Sequence, residues 1–273
     1  MDERLISARF PRSNQYHPDW VLKNGTTGTG NTLWITEWLV EVMDLKPGMR
    51  VLDLGCGRAI SSIFLAREFE VQVWATDLWI GATENRLRIH DAGLDDRVFP
   101  LHADARALPF AGEFFDAIVC IDAYPYFGTD ELYLNYLAHF VKPGGQVGIA
   151  GAGLLNELEQ GVPEHLGPLW TVDMWAIHSA GWWRRFWERA GIVAVETAEA
   201  RPEAWQDWLR WQTTGYPDNV DEIEVLKADA GRNLTWFRMV GRRNGDAKLM
   251  DYCWPDTTKS FPPEYESKPL LRT

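Results

Sequence analysis

The sequence predicts an α/β fold, a doubly wound and mostly parallel sheet with helices on both faces. Three observations carry that prediction. Val51-Leu52-Asp53-Leu54-Gly55-Cys56-Gly57-Arg58-Ala59 reads as a buried strand that stops at a glycine turn and restarts as a helix. Short apolar runs then alternate with helical patterns, ending at Asp77, His102, Ile121 and Ala150. The 273 residues are 46% hydrophobic, enough for a sizeable core.

Taken in order, residues 1–32 read as irregular. Phe10-Pro11, His17-Pro18 and the run Asn24-Gly25-Thr26-Thr27-Gly28-Thr29-Gly30 break any periodicity. The glycine run lacks the Gly-Lys-Ser/Thr ending of a phosphate loop, so it reads as a linker or as a flap over a ligand. A helix is expected over 32–43, stopped by Lys46-Pro47-Gly48. After the first strand, Ile60, Ile63 and Phe64 fall at helical spacing beside Ser61 and Ser62. A second strand covers 71–76 and a helix follows over about 80–91. A third strand is expected at 97–102 and a fourth at 114–121. Thr129 is placed as the cap of a helix over 130–140. A fifth strand covers 146–150 and a sixth 192–196. The stretch 202–229 looks helical, and a last strand covers 235–241.

Composition narrows the function. The chain holds 27 basic and 39 acidic residues, a net charge of −12. That argues against DNA, RNA or an anionic membrane as the main partner. Cys56, Cys120 and Cys253 are too few and too scattered for a disulfide framework or a zinc site, so no metal is expected. No N-terminal apolar stretch reads as a signal peptide, and no run reaches the ~18 apolar residues of a membrane span. The expected location is cytoplasmic. Eight of the 15 tryptophans lie between Trp170 and Trp211.

The glycine turn is a small-molecule site built by strand and helix geometry. A dinucleotide fingerprint would need a third glycine where Ile60 stands, which weighs against a nicotinamide-linked oxidoreductase. Asp77, 24 positions after Asp53, ends the second strand and suits two ribose hydroxyls, since a carboxylate has two accepting oxygens.

With Asp53 ahead of Gly55 and Gly57, the turn resembles the first motif of the class I S-adenosylmethionine (SAM) methyltransferases, D-x-G-x-G-x-G. Ala59 stands at the last glycine. The resemblance extends through Asp77, Asp104-Ala105, the acid-led strand ending at Asp122, and the Lys142-Pro143-Gly144-Gly145 turn. It covers about 51–150, and the flanks match only in architecture. It implies a Rossmann-like seven-stranded sheet with a final antiparallel strand, and a Trp-rich helical insertion forming a substrate lid. It implies SAM as cofactor, held by Asp53, Gly55, Cys56, Gly57, Asp77, Leu78, Trp79, Asp104, Ala105, Ile121 and Asp122. Within that set, Leu78 and Trp79 would cover the adenine ring and Asp104 would take its exocyclic amine. The branch resembled is that of small-molecule and cyclopropane-synthase enzymes.

The expected organisation is an N-terminal flap and helix over 1–45, a SAM-binding core over 46–153 and a lid insertion over 154–191. The remaining core strands with a helical insertion then take 192–245, and a tail takes 246–273. His178, Tyr124 and Tyr126 are the candidate catalytic groups. His178 has the intrinsic pKa of a base near neutrality, and the tyrosines follow the fourth strand, where the methyl is delivered. The expected partner is a small-molecule acceptor methylated on an amine, hydroxyl or carbon. A lipid-modifying enzyme of cyclopropane-synthase type and a non-catalytic SAM-binding protein are the alternatives. A Trp-rich surface would serve equally as a homodimer contact.

Overall fold

The computed structural model describes residues 5–26 and 28–250. One seven-stranded sheet runs through them, built from β1 (Arg50–Leu54), β2 (Gln72–Asp77), β3 (Val98–His102), β4 (Phe115–Ile121), β5 (Val141–Leu154), β6 (Val193–Arg201) and β7 (Leu234–Arg243). The order is β3-β2-β1-β4-β5-β7-β6. Pairs β1–β2, β2–β3, β1–β4 and β4–β5 are parallel, and β7 runs antiparallel to both β5 and β6. The order reverses between β1 and β4. A crevice therefore opens there beyond the strand ends, the usual place for a ligand in such a sheet.

Strand pleat divides the core. Val51, Val73 and Ala75 face one apolar cluster, and Leu52 and Leu54 face the other. The first cluster lies under α2 (Thr32–Val40), α3 (Ile60–Phe69) and α8 (Ala204–Gly215), and holds Trp34, Phe64, Trp211 and Trp236. The second lies under α6 (Tyr133–Ala138) and α7 (Ala180–Ala190), and holds Tyr124, Trp183, Trp187 and Phe237.

The structure departs from the sequence expectations in four places. Residues 1–32 are not all irregular: α1 (Pro18–Asn24) starts with proline at its first position, and the His17 ring accepts the Asp19 amide. The helix expected over 130–140 is shortened to α6, and a separate turn of helix, α5 (Pro125–Gly128), precedes it. Thr129 closes α5 rather than capping the next helix. The stretch 202–229 is likewise two helices, α8 and α9 (Val220–Asp229), parted by a turn holding Pro217. In the expected lid, α7 packs on the sheet with Trp183 and Trp187 fully buried, while the two short 3-10 turns Glu164–Leu169 and Val172–Ala176 reach the crevice. Four of the eight clustered tryptophans, Trp183, Trp187, Trp208 and Trp211, are interior, so they supply no dimer contact. No helix among the described residues is long and apolar enough to cross a membrane. The expected tail lies outside the described residues beyond Met250, as does Cys253.

Candidate active site

A cavity of about 780 Å³ opens at the crevice between β1 and β4. Its size falls in the ~300–1,000 Å³ range of small-molecule pockets. The β1 turn forms its floor. Gly55 and Gly57 have φ of 73° and 52°, and a Cβ on Gly55 would lie 2.4 Å from that of Ala123. A Cβ on Gly57 would meet only Thr26 Cγ2 at 3.9 Å, so its backbone stands open to the cavity. Ala59 also sits in the left-handed region, at φ 59°, where glycine is the easier residue.

Asp77 projects from the end of β2 into the cavity. Its Oδ2 accepts the Gly57 amide at 2.8 Å, and its Oδ1 accepts the amides of Trp79 and Ile80, both at 2.8 Å. Three of about four carboxylate acceptor sites are thus filled, which leaves one at Oδ2. Asp53 lies one pleat away and faces α3 instead. Its Oδ2 accepts the Ser61 and Ser62 hydroxyls, both at 2.6 Å, which pins the first turn of α3 to the strand end. Its Oδ1 is buried without a partner, and burial pushes the acid up to about 6.

At the end of β4, Asp122 holds a left-handed backbone at φ 57° and reaches across to the N-terminal glycine run. Its Oδ2 accepts the Thr29 amide at 2.7 Å. Its Oδ1 accepts the Thr29 hydroxyl at 2.6 Å and the Ala152 amide at 3.1 Å. Burial pushes its acid upward. Three further donors hold the run: Trp211 Nε1 on Thr26 O at 3.1 Å, Gln212 Nε2 on Gly28 O at 3.1 Å, and Trp236 Nε1 on Thr29 O at 2.8 Å.

Comparison with known proteins points the same way. The sequence profile of a methyltransferase domain family matches residues 51–145. The chain is 33% identical over 142 residues to methyltransferase GfsG of Streptomyces halstedii, covering 50% of this chain and 51% of that one. It is 27% identical over 232 residues to the 27-O-demethylrifamycin SV methyltransferase of Amycolatopsis mediterranei, covering 81% and 79%. The chain thus spans about half the length of GfsG, and only 29% of phosphoethanolamine N-methyltransferase 3 of Arabidopsis thaliana, to which it is 30% identical over 145 residues, 51% of this chain. Among solved structures, phosphoethanolamine N-methyltransferase 2 of Haemonchus contortus in complex with SAM superposes with a TM-score of 0.67 at 19% identity, covering 88% of this chain and 60% of that one. Residues 51–145 thus match a methyltransferase domain, and the chain shares the fold of that solved enzyme.

At this cavity the residues expected at the cofactor divide. Gly55, Cys56, Gly57, Asp77, Leu78, Trp79, Asp104, Ala105, Ile121 and Asp122 all line the cavity. Asp53 does not, because its side chain lies on the α3 face of β1. Asp104 is gripped by Arg106, whose Nε and NH2 donate at 3.1 and 3.0 Å and hold the acid below its usual range. Trp79 is 74% exposed at the mouth, edge-on to Tyr126 with ring centroids 5.3 Å apart.

Two of the three candidate catalytic groups are not at the cavity. Tyr124 points into the core against Trp183 and Trp187. Its hydroxyl meets only the Trp187 indole N–H, without a well-formed hydrogen bond, and burial pushes its pKa up. The left-handed backbone at Asp122 ends the strand, and Tyr124, at the start of α5, turns to the core. His178 stacks on Trp182 at 3.7 Å and its Nδ1 lies 3.0 Å from Glu157 Oε2. Glu157 also accepts the Ser179 amide at 2.6 Å, so this pair fastens the start of α7. The neighbouring Ile177, not His178, faces the cavity. Tyr126 does line it, and burial raises its pKa.

The sequence reading missed the opposite wall. Trp208 and Glu222, from α8 and α9, line the cavity together with Leu169, Met174 and Ile177. Glu222 Oε1 accepts Trp208 Nε1 at 2.6 Å and Gln212 Nε2 at 2.8 Å, and its Oε2 accepts Asn219 Nδ2 at 2.5 Å. The only sequence signal was Asn219 three places before Glu222, which reads as an ordinary helix-start box. In the structure the two side chains bond each other instead.

Proposed function

We propose that the protein transfers a methyl group from SAM to a small-molecule acceptor. The single observation that carries the reading is Asp77 beside the open backbone of Gly57 on one cavity floor. The free acceptor site at Asp77 Oδ2 suits a ribose hydroxyl, and the walls at Leu78, Ala105 and Ile121 suit the adenine ring. When bound, SAM supplies a methyl group activated on a positively charged sulfur. The chain's own part is to bind, align and exclude water. The glycine run held by Asp122 closes the N-terminal side, and the 3-10 turns Glu164–Leu169 and Val172–Ala176 wall the other. Small-molecule acceptance fits a cavity that is enclosed by these segments. The proposal keeps the cytoplasmic location expected from the sequence.

Calorimetric titration with SAM and then S-adenosylhomocysteine tests the reading. Micromolar binding of both is expected, followed by S-adenosylhomocysteine release on some member of an amine, phenol and alcohol panel. Absence of binding by either ligand would overturn the assignment of the whole cavity.

A further inference from the structure

The two ends of the cavity differ in charge. Its lining cations, Arg58 and Arg106, both come from the cofactor-side loops, and both are engaged there. Arg106 is paired with Asp104, and Arg58 NH1 donates to Gly25 O at 3.0 Å. The opposite wall carries Asp173 and Glu222, with Asp122 between the two ends past β4, and no cation among its described lining residues. An acceptor bearing a carboxylate or phosphate would lie against these acids without a counter-charge, a strongly unfavourable placement in a desolvated site.

Within that wall, Glu222 is the acid with a direction. Trp208 and Gln212 fill both lone pairs of Oε1, while Asn219 takes one of Oε2. One acceptor position on a half-buried carboxylate remains, in a wall that also holds the Trp208 ring. Asp122 also spends three of its sites, but on Thr29 and Ala152, where it holds the glycine run in place. Burial and the nearby Asp122 charge both push the Glu222 acid upward.

We propose that Glu222 is the acceptor-recognising carboxylate of this site, and that the acceptor presents an N–H or O–H donor and carries no negative charge. The inference rests on the methyltransferase reading above. In the reaction the bond from sulfur to the methyl carbon breaks with its electron pair left on sulfur. The acceptor nitrogen or oxygen forms the new bond to carbon, and its proton passes to Glu222 Oε2.

The test uses full-length protein saturated with S-adenosylhomocysteine and three probes of one skeleton: phenethylamine, 2-phenylethanol and phenylacetate. Tryptophan fluorescence follows binding, with Trp208 as the local reporter. The amine or the alcohol is expected to bind at least tenfold more tightly than the acid, and the difference between those two distinguishes an ammonium from a hydroxyl acceptor. Glu222→Gln is expected to erase that preference while S-adenosylhomocysteine affinity stays within twofold. Glu222→Asp, which withdraws the carboxylate but keeps its charge, is expected to retain the preference at weaker affinity. Equal binding of phenylacetate overturns the proposal, as does an unchanged ratio in Glu222→Gln, or binding of none of the probes to the loaded protein. Failure of S-adenosylhomocysteine itself to bind overturns the parent reading instead.

Discussion

Thr29 is fastened to Asp122 by two hydrogen bonds across 93 residues of sequence, from its amide at 2.7 Å and its hydroxyl at 2.6 Å. This relationship joins the N-terminal glycine run to the end of β4 and makes the run a wall of the cavity. Hydrogen bonds to a buried carboxylate are charge-assisted, worth about 1.5–3 kcal/mol each. Thr29→Val removes the hydroxyl and keeps the amide. SAM affinity should fall about 10-fold or more on the same scale, read by calorimetry. An unchanged affinity would show that the run does not close on the ligand.

Asp77 holds the glycine turn and keeps one accepting position at Oδ2 on the cavity, which the proposed function gives to the ribose. Asp77→Ala should therefore lose SAM affinity by at least about 100-fold, since it removes charged hydrogen bonds on two sides. Asp77→Asn keeps one accepting oxygen and should lose less. Equal losses in the two variants would mean that the turn, not the ligand contact, sets the affinity. A circular-dichroism melt of each variant separates folding from binding.

His178 should matter for stability alone. It stacks on Trp182 and pairs with Glu157, away from the cavity. His178→Ala should lower unfolding free energy by about 1–2 kcal/mol, the cost of a lost contact and a bond to a charged group. SAM affinity and any turnover found should remain within twofold. A large loss of turnover with a normal melt would return His178 to the chemistry.

Asp53 gives a pH signature. Its acid is raised to about 6 by burial, above the ordinary value of 3.8. The folded state thus binds this proton before the unfolded state does. The stability from Asp53 is fully present below the unfolded pKa and is lost as pH rises through the folded one. The span is at most about 3 kcal/mol. Asp53→Asn cannot titrate, so the wild type should gain stability relative to the variant between pH 7 and pH 4. Urea unfolding at the two pH values reads the difference. Parallel pH curves would mean that Asp53 does not take up the proton.

What could be read from the chain alone follows from local rules. Apolar runs bounded by Gly55 and Gly57, and by the acids Asp77 and Asp122, are written in consecutive residues, as strand period and turn chemistry are. They determined the seven strands, the parallel order at the glycine turn and most of the loops that line the cavity floor. The direction of each side chain was not written there. Adjacent residues on a strand face opposite layers, so Asp53 turned to α3 while Leu54 reached the cavity. Past the end of β4 the left-handed turn at Asp122 and the start of α5 sent Tyr124 to the core and left Asp122 and Tyr126 at the site. Only the tertiary structure decided the wall opposite the glycine turn. Thr29, Asp122 and the pair Trp208 and Glu222 are far apart in sequence and meet because α8 and α9 fold back over the strand ends. Hydrophobic pattern dictates which residues are buried, but long-range packing dictates which polar groups come to face each other.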